Sequence, residues 1–286
     1  MQNFLEIKNL VKYYGKEVGI SNVTMSIDEG EIFGFIGPNG AGKSTTIRCI
    51  MRLINKTEGT INFMGKELDR LSFKENVDIG YLPSEINLYK EMTGKEIIKF
   101  NNSFYPFDTT KKAILLAGRL KVDLFKRIGD LSLGNLKKIG IILTLAHSPK
   151  LIIMDEASSE LDPLMKEEFY AILKEEKENG KTILLSSHNL AEVRKICDRV
   201  AIIKDGKIIK VASINDLISN SIYMIKIKTK DELTNGYNII PKTNEFTTFL
   251  YEGNINNLIE DLSKHNIERI LIEEPSLEDV FMHYYK

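Results

Sequence analysis

The stretch Gly37-Pro38-Asn39-Gly40-Ala41-Gly42-Lys43-Ser44-Thr45 fits G-x-x-x-x-G-K-[ST], the pattern of a phosphate-binding loop. Residues 31–36 before it predict a buried strand, and residues 46–53 after it predict a helix. Backbone N–H groups at a helix N-terminus attract polyphosphates, and glycines let the backbone approach them closely. We therefore expect a nucleotide site in which Lys43 reaches the β- and γ-phosphates and Ser44 ligates Mg²⁺. The alternative is a glycine-rich turn before an ordinary helix.

The composition is that of a globular protein. The 286 residues are 43% hydrophobic and 28% charged, and this length can hold one large domain or two unequal ones. A formal net charge of −1 lacks the basic surplus of non-specific nucleic-acid binders, so we expect no nucleic-acid partner. Cys49 and Cys197 both fall in predicted helices, and we expect two buried thiols rather than a disulfide or a metal site.

The sequence shows no segment suited to membrane insertion. Residues 1–10 contain no apolar run of the kind found in signal peptides. The longest uncharged apolar stretch, 139–146, is far short of the ~20 residues that cross a bilayer. We therefore expect a soluble chain that reaches a membrane only through a partner.

Polar residues follow two further predicted strands. Asp155 and Glu156 come after the apolar run 151–154, at the end of a strand where open α/β sheets bind ligands. Asp155 can hold Mg²⁺ through water, and Glu156 can orient or deprotonate a water beside the γ-phosphate. His188 follows the buried strand 182–187 at the same edge, where we expect it to contact the γ-phosphate. The alternatives are a solvated acidic strand end and a structural histidine.

An aromatic side chain precedes the phosphate loop. Residues 4–10 and 20–27 predict an antiparallel strand pair, which we expect the 28–30 turn to close. Tyr14 lies in the intervening segment 11–16, where it can stack on an adenine ring or pack in a turn.

A serine and a glycine begin another predicted helix. Residues 131–135 read Leu-Ser-Leu-Gly-Asn, and apolar residues at helical spacing follow. Ser132 and Gly134 therefore offer a second anion cradle, and a plain helix cap is the alternative.

The chain changes character twice. The helical block at about 90–150 interrupts the alternation of strands and helices, and residues 93–96 in it have capping-box spacing. Residues 221–286 are richer in Asn, Lys and Glu and predict short strands at 223–228, 246–251 and 267–272.

These features predict an α/β fold. We expect a P-loop NTPase core with an antiparallel β subdomain, an inserted α-helical subdomain and a small C-terminal α/β extension. The predicted domains are 1–220 and 221–286.

Taken together, the motifs resemble the ATP-binding subunits of ABC transporters, which are their nucleotide-binding domains. The resemblance covers residues 4 to about 215. The segment 274–281, Glu-Pro-Ser-Leu-Glu-Asp-Val-Phe, looks like part of the extension carried by ABC-2-type exporter ATPases. The matching motifs stand in the family's order: the aromatic loop at Tyr14, the phosphate loop at 37–45, the signature-like 131–135, the Walker B strand ending at Asp155, the following Glu156, the D-loop 159–162 with Asp162, and the switch His188.

The resemblance implies an ATPase that works as a dimer and drives export. Two subunits, most simply two copies of this chain, would meet head to tail and enclose two ATP molecules with Mg²⁺. Each ATP would lie between the phosphate loop of one protomer and Ser132 and Gly134 of the other, with Tyr14 and Asp162 also at the nucleotide. The family further implies an integral membrane permease as partner, and a place on the cytoplasmic face of the membrane.

The sequence departs from the family pattern at three places. Ser84, followed by Glu85, stands where the family usually has a glutamine that touches Mg²⁺ and the attacking water. Within the signature, Leu133 and Asn135 replace glycine and glutamine, and residues 157–158 are Ala-Ser rather than Pro-Thr. Whether Ser84 or Glu85 takes the glutamine's place stays open.

Two other functions are compatible with these motifs. One is a cytosolic ABC-type ATPase that acts on nucleic acid or ribosomes, which the near-neutral charge disfavours. The other is a nucleotide-gated regulatory module that senses rather than pumps, which Ser84 motivates.

Overall fold

The computed structural model describes residues 3–70, 75–219, 222–229, 239–240 and 246–273. The chain divides into two compact units, Met1–Val211 and Ala212–Lys286. The predicted domain boundary at residue 220 falls inside the second unit and stays a prediction. The segment 274–281 lies outside the described residues.

The strands between residues 5 and 213 form two sheets. The first sheet is antiparallel, with the strand order β2-β1-β4-β5. The second has the order β10-β9-β3-β8-β7-β6, and its strands from β9 to β6 pair in parallel. The strands are β1 (Leu5–Tyr14), β2 (Glu17–Ile27), β3 (Ile32–Ile36), β4 (Glu58–Phe63), β5 (Lys66–Glu67), β6 (Ile79–Leu82), β7 (Leu151–Asp155), β8 (Thr182–Ser187), β9 (Arg199–Lys204) and β10 (Lys207–Ser213).

Among the described residues, the first unit holds helices α1 (Lys43–Ile50), α2 (Gly94–Asn102), α3 (Thr110–Arg119), α4 (Leu133–Ala146), α5 (Pro163–Glu178) and α6 (Leu190–Ile196). Helices α2 to α4 occupy the block in which the sequence predicts a helical subdomain. The predicted capping box is present at α2: the Thr93 hydroxyl accepts from the Glu96 N–H at 3.3 Å, and the Glu96 carboxylate accepts from the Thr93 N–H at 2.8 Å. No helix in the described part of the chain is long and apolar enough to span a bilayer.

The parallel sheet brings the carboxyl ends of its central strands to one edge. Every residue of β3, β7 and β8 is buried, which explains why these strands are near-continuous apolar runs. In the register, Asp155 at the end of β7 lies opposite Ser186 of β8. The chain therefore leaves β3, β7 and β8 beside one another. These strands are followed by Gly37, Glu156 and His188, respectively, which are all predicted site residues.

The prediction for the first strand pair is wrong at its turn. Strands β1 and β2 continue to Tyr14 and Glu17, which pair with each other, and the turn between them contains Gly15 with a φ of +61°. At the other end Leu5 pairs with Ile27, so residues 28–30 lead out of this sheet into β3 instead of closing the pair. Tyr14 therefore ends a strand and does not lie in a loop. A glycine can adopt the positive φ that so tight a turn requires, and the pairing extends up to it.

The two sheets and α1 share one apolar core. Phe4, Phe33 and Ile47 belong to a single buried cluster, and the rings of Phe4 and Phe63 meet edge to face with centroids 5.3 Å apart. This packing fixes α1, and with it the loop before α1, against both sheets.

The cysteines are buried free thiols, as predicted. Cys49 lies in α1, whereas Cys197 is the residue after α6 and not part of that helix. Burial raises the pKa of both thiols, so neither is an activated nucleophile.

The described residues of the second unit form a small α/β structure. Its sheet is antiparallel with the order β12-β13-β11-β14. Ile225, Phe249 and Leu258 form the centre of its apolar core. Strands at the three predicted places are confirmed. The elements are α7 (Ile214–Ser219), β11 (Ile222–Thr229), β12 (Ile239–Ile240), β13 (Thr247–Glu252), α8 (Ile255–Leu262) and β14 (Ile267–Glu273).

One histidine is part of the packing of the helical subdomain. His147 follows α4, is only 5% exposed and stacks on the Tyr105 ring with centroids 4.4 Å apart. Burial lowers the pKa of His147 to about 4, because the charged imidazolium would lose its hydration. The fold therefore selects the neutral ring.

We expect His147 to make the protein less stable as the pH falls from about 6.5 to about 4. In this window the unfolded histidine, with a pKa of about 6.5, takes up a proton that the folded one does not. The contribution of neutral His147 to the free energy of unfolding is fully present above the pKa of the unfolded histidine. Its loss toward pH 4 amounts to at most about 3 kcal/mol. Urea unfolding of wild type and His147→Phe between pH 7.5 and 4.5 measures it, because phenylalanine keeps the stack and cannot titrate.

The free energy of unfolding should fall less steeply with acid in His147→Phe than in wild type. Parallel curves for wild type and His147→Phe would contradict this prediction.

Candidate functional site

The loop between β3 and α1 surrounds an open cavity. Gly40 and Gly42 have φ values of +81° and +106°, which side chains disfavour, and a Cβ on Gly37 would lie 2.4 Å from the Ile203 carbonyl oxygen. The glycines are therefore required by the shape of the loop itself. The cavity has a volume of about 310 Å³ and is lined by Asn39, Gly40, Gly42, Lys43, Ser44, Thr45, Ser84 and Glu156.

The other loop residues support the cavity from behind. The carbonyl groups of Gly37 and Pro38 accept hydrogen bonds from the Lys43 ammonium, at 2.7 and 3.1 Å. Ala41 is buried, and its carbonyl accepts from the N–H of Gly206 at 3.0 Å. The turn between β9 and β10 therefore braces the loop.

Lys43 places a buried cation at this cavity. Its side chain is 5% exposed, and its ammonium lies 3.7 Å from Glu156 Oε1. Burial lowers the pKa of Lys43, and the carboxylates of Glu156 and Asp155 oppose that shift. The ammonium has two loop carbonyls and one distant carboxylate for partners, which leaves it strongly attractive to a further anion.

Asp155 presents a carboxylate oxygen that is buried without a partner. The residue is 1% exposed, and one oxygen accepts a short hydrogen bond from the Ser186 hydroxyl. The other oxygen, Oδ2, has no hydrogen-bond partner in the described residues. An orphaned buried carboxylate oxygen is costly, and a cation would remove that cost. The donor set thus fits a hard metal ion.

Glu156 has an unusual backbone. Its φ of +50° is left-handed, a conformation that costs about 1–2 kcal/mol in a residue with a Cβ. Its N–H donates to the Ser186 carbonyl at 3.2 Å, and its carbonyl accepts from the Ser159 hydroxyl at 2.8 Å. The turn aims its carboxylate at His188, whose Nδ1 is 3.2 Å from Glu156 Oε1. Strain held by a neighbouring strand is typical of functional positions.

The structure brings Lys43, Ser44, Asp155, Glu156 and His188 together at the predicted edge of the sheet. Sequence reasoning missed Ser186, which holds both Asp155 and Glu156. Its only sequence signal is its position as a polar residue near the end of an apolar strand.

Tyr14 does not line the cavity. Its side chain is 45% exposed and the Lys12 ammonium lies 5.2 Å from the ring centroid. The ring packs over Gly19, where a Cβ would be 2.8 Å from the Tyr14 Cε2. An exposed aromatic face is therefore available next to β2.

Ser132, Gly134 and Asp162 have structural partners in their own chain. Ser132 caps α4 by accepting from the Asn135 N–H at 3.4 Å, and Asp162 caps α5 by accepting from the Met165 N–H at 3.0 Å. A Cβ on Gly134 would lie 2.6 Å from the Glu160 carbonyl oxygen. All three predicted residues lie away from the lining of this chain's cavity.

The two residues at the family's glutamine position differ in how they border the phosphate cavity. Ser84 lines the phosphate cavity. Ser84 and Glu85 both line a second cavity, of about 320 Å³, beside α4. Ser84 is thus the one of the two that borders both cavities.

Comparison with known proteins identifies the family. The ABC transporter family profile matches residues 20–159. The lantibiotic transport ATP-binding protein SrtF of Streptococcus pyogenes is 37% identical over 206 residues, which cover 72% of this chain and 89% of SrtF. The Nod factor export ATP-binding protein I of Rhizobium etli is 29% identical over 290 residues, which cover 97% of this chain and 92% of that protein.

Among solved structures, the dimeric post-hydrolysis structure of the ATP-binding cassette MJ0796, bound to ADP and Pi, has a TM-score of 0.67 and 25% identity. The match covers 73% of this chain and 98% of that one.

The chain belongs to the ABC transporter family. Within that family it is an ATP-binding subunit, an ATPase whose first unit has the P-loop NTPase fold that the sequence predicts.

We expect Lys43→Ala to abolish tight ATP binding, because the buried ammonium is the cation nearest the loop. Fluorescence titration with an ATP analogue measures the affinity. Arg48→Ala, which removes an exposed cation from the same helix, should bind as wild type does. An unchanged affinity in Lys43→Ala would contradict the assignment of the loop.

Proposed function

We propose that this chain is the ATPase subunit of an ABC exporter, which closes as a dimer around ATP and Mg²⁺ and drives a separate membrane permease. The observation that carries the proposal is a cavity lined by the buried Lys43 ammonium and by Glu156, which pairs with His188. Beside Glu156, Asp155 has a buried carboxylate oxygen without a partner in the described residues.

The cavity suits a triphosphate. Backbone N–H groups of the loop and of the first turn of α1 would hold the phosphates, with Lys43 at the β- and γ-phosphates. Gly37, Pro38 and Ala41 would shape the loop from behind, while the other loop residues of the lining face the ligand.

Ser44 and Asp155 would hold Mg²⁺. The described residues contain no group of three or more acidic, histidine or cysteine side chains that could hold a metal, so phosphate oxygens and water would complete the coordination. When bound, the ion would neutralise charge on the phosphates. Ser186 would keep the Asp155 carboxylate oriented through its hydrogen bond.

Glu156 would act on the attacking water, as its position at the rim of the cavity supports. His188 would orient the Glu156 carboxylate and contact the γ-phosphate, which its 57% exposure leaves it free to reach. The ammonium of Lys43 and the imidazole of His188 flank the Glu156 carboxylate before ATP arrives, so binding would exchange these contacts for contacts to phosphate.

The other predicted residues would serve a partner protomer. Ser132 is exposed, and the N-terminus of α4 behind it offers unpaired N–H groups to a neighbour's γ-phosphate. Asp162 would lie at the same interface, and Tyr14 would stack on the adenine of its own chain's ATP. That MJ0796 forms a dimer with ADP and Pi bound supports the proposed dimer of ATP-binding subunits.

The names of the relatives support export. SrtF is a lantibiotic transport protein and the Rhizobium protein a Nod factor export protein. We therefore propose an integral membrane permease as partner and a place at the cytoplasmic face of the cell membrane through it.

The partner can be tested by crosslinking cells that carry a tagged chain and identifying captured proteins by mass spectrometry. We expect an integral membrane protein with several apolar spans, recovered from the membrane fraction. Recovery with ribosomes or nucleic acid, and from the cytosol alone, would contradict the proposal.

We expect Glu156→Gln to keep ATP binding and lower turnover by about 10²–10⁴-fold, the usual contribution of a positioned base. Phosphate release and light scattering with Mg-ATP measure turnover and dimerisation, and the variant should accumulate as an ATP-held dimer. Glu167→Gln, which alters an exposed carboxylate of α5, is the control and should behave as wild type. Undiminished turnover in Glu156→Gln would remove Glu156 from this role.

A further inference from the structure

Lys137 is a buried cation that has no ion-pair partner among the described residues. It lies in α4, is 4% exposed, and its ammonium donates to the carbonyl oxygen of Ser84 at 2.7 Å. Burial lowers the pKa of Lys137, whereas the charges of Asp155, Glu156 and Glu160 act in the opposite sense. None of these carboxylates is within 4.0 Å of the ammonium in the described structure, so its single strong contact is to the backbone of another segment.

The segment that Lys137 holds follows β6 and borders the phosphate cavity. Strand β6 pairs in parallel with β7, so the chain after it emerges at the same edge as Asp155. Ser84 lines the cavity together with Lys43 and Glu156. A phosphate group entering the cavity would therefore act directly on this segment.

The helix that carries Lys137 begins at the residues proposed to face a partner's ATP. Ser132 caps α4, and the D-loop approaches its first turn so closely that Gly134 has no room for a Cβ against the Glu160 carbonyl. The second cavity, of about 320 Å³, lies among these segments and is lined by Ser84, Leu133, Lys137 and Glu160, among others. The Lys137–Ser84 hydrogen bond directly joins α4 to the segment after β6 at this cavity.

The later part of α4 is fixed to β6 by other contacts. The Thr144 hydroxyl lies 3.3 Å from the Tyr81 carbonyl oxygen, and a Cβ on Gly140 would be 2.7 Å from Leu82 Cδ1. Close packing therefore holds the second half of α4 against β6. The hydrogen bond from Lys137 joins the first half, which begins after Ser132, to Ser84.

We propose that Lys137 is a positioning residue that couples the two ATP sites of the dimer. Through Ser84 it links the phosphate cavity of its own chain to the end of α4 that meets the partner's nucleotide. The inference rests on the proposed ATP-held dimer. ATP adds negative charge beside Ser84, and the poorly screened ammonium is drawn toward it, which moves the start of α4 with it.

The test compares Lys137→Met with its parent in the Glu156→Gln background. Methionine keeps the length of the side chain and removes the charge and the donor, and replacing an unpaired buried cation should not lower stability. Titration with ATP in dilute protein reports the cavity of the single chain. Light scattering across a range of protein concentrations reports dimerisation with Mg-ATP.

We expect Lys137→Met to bind ATP as a single chain within about twofold of its parent, and to need about tenfold more protein to dimerise. In the chain with Glu156 intact, the coupling predicts a sigmoidal dependence of the ATPase rate on ATP concentration, and Lys137→Met should make that dependence hyperbolic. Lys137→Arg keeps a charged donor, and the second cavity beside it leaves space for the larger side chain. This variant should therefore dimerise and respond to ATP much as its parent does.

Lys138→Met is the matched control. Lys138 is the adjacent lysine of α4, is 8% exposed and lines neither cavity, so its loss should leave dimerisation and cooperativity unchanged. The proposal is overturned if Lys137→Met dimerises as its parent does, or if it loses ATP binding as a single chain. A parent that never dimerises with Mg-ATP would instead overturn the proposed function itself.

Discussion

The structure depends on one electrostatic constraint, the burial of the Lys43 ammonium inside its own loop. The loop can close around that cation because Gly40 and Gly42 take left-handed conformations and the apolar core fixes α1 behind them. The carbonyls of Gly37 and Pro38 compensate part of the desolvation. A bound anion would offset the remaining desolvation cost of the Lys43 ammonium, and the loop is therefore suited to bind one.

At the edge of the parallel sheet, negatively charged carboxylates are likewise held under constraint. Asp155 is buried with one oxygen that has no partner in the described part of the chain, and Ser186 of the next strand keeps Glu156 in a strained backbone conformation. Each of these features costs stability in the chain alone. A nucleotide with its cation would interact favourably with Lys43, Asp155 and Glu156 at the same time.

The start of α4 shows how one set of residues can serve two purposes. Ser132 caps its own helix and Gly134 admits the D-loop carbonyl of Glu160, so both have sufficient structural reasons to be what they are. The exposure of Ser132 nevertheless leaves the N-terminus of the helix open to a second molecule. Lys137, in the same half of α4, donates a hydrogen bond to the carbonyl oxygen of Ser84 at the phosphate cavity. The helix end proposed to face a partner is thus hydrogen-bonded to the segment that borders the phosphate cavity.

The sequence by itself determined the features that depend on neighbouring residues. These are the loop with its strand and helix, the carboxylates after β7, the cap of α2 and the α/β class, because local periodicity and turn chemistry encode them. Tertiary structure alone decided the tight turn that carries β1 on to Tyr14, the pairing of Ser186 with Asp155 and the bond from Lys137 to Ser84. The two hydrogen bonds join segments 31 and 53 residues apart, which no local pattern brings together. The length of β1 depends on its pairing with β2, because the register between two strands determines which residues meet.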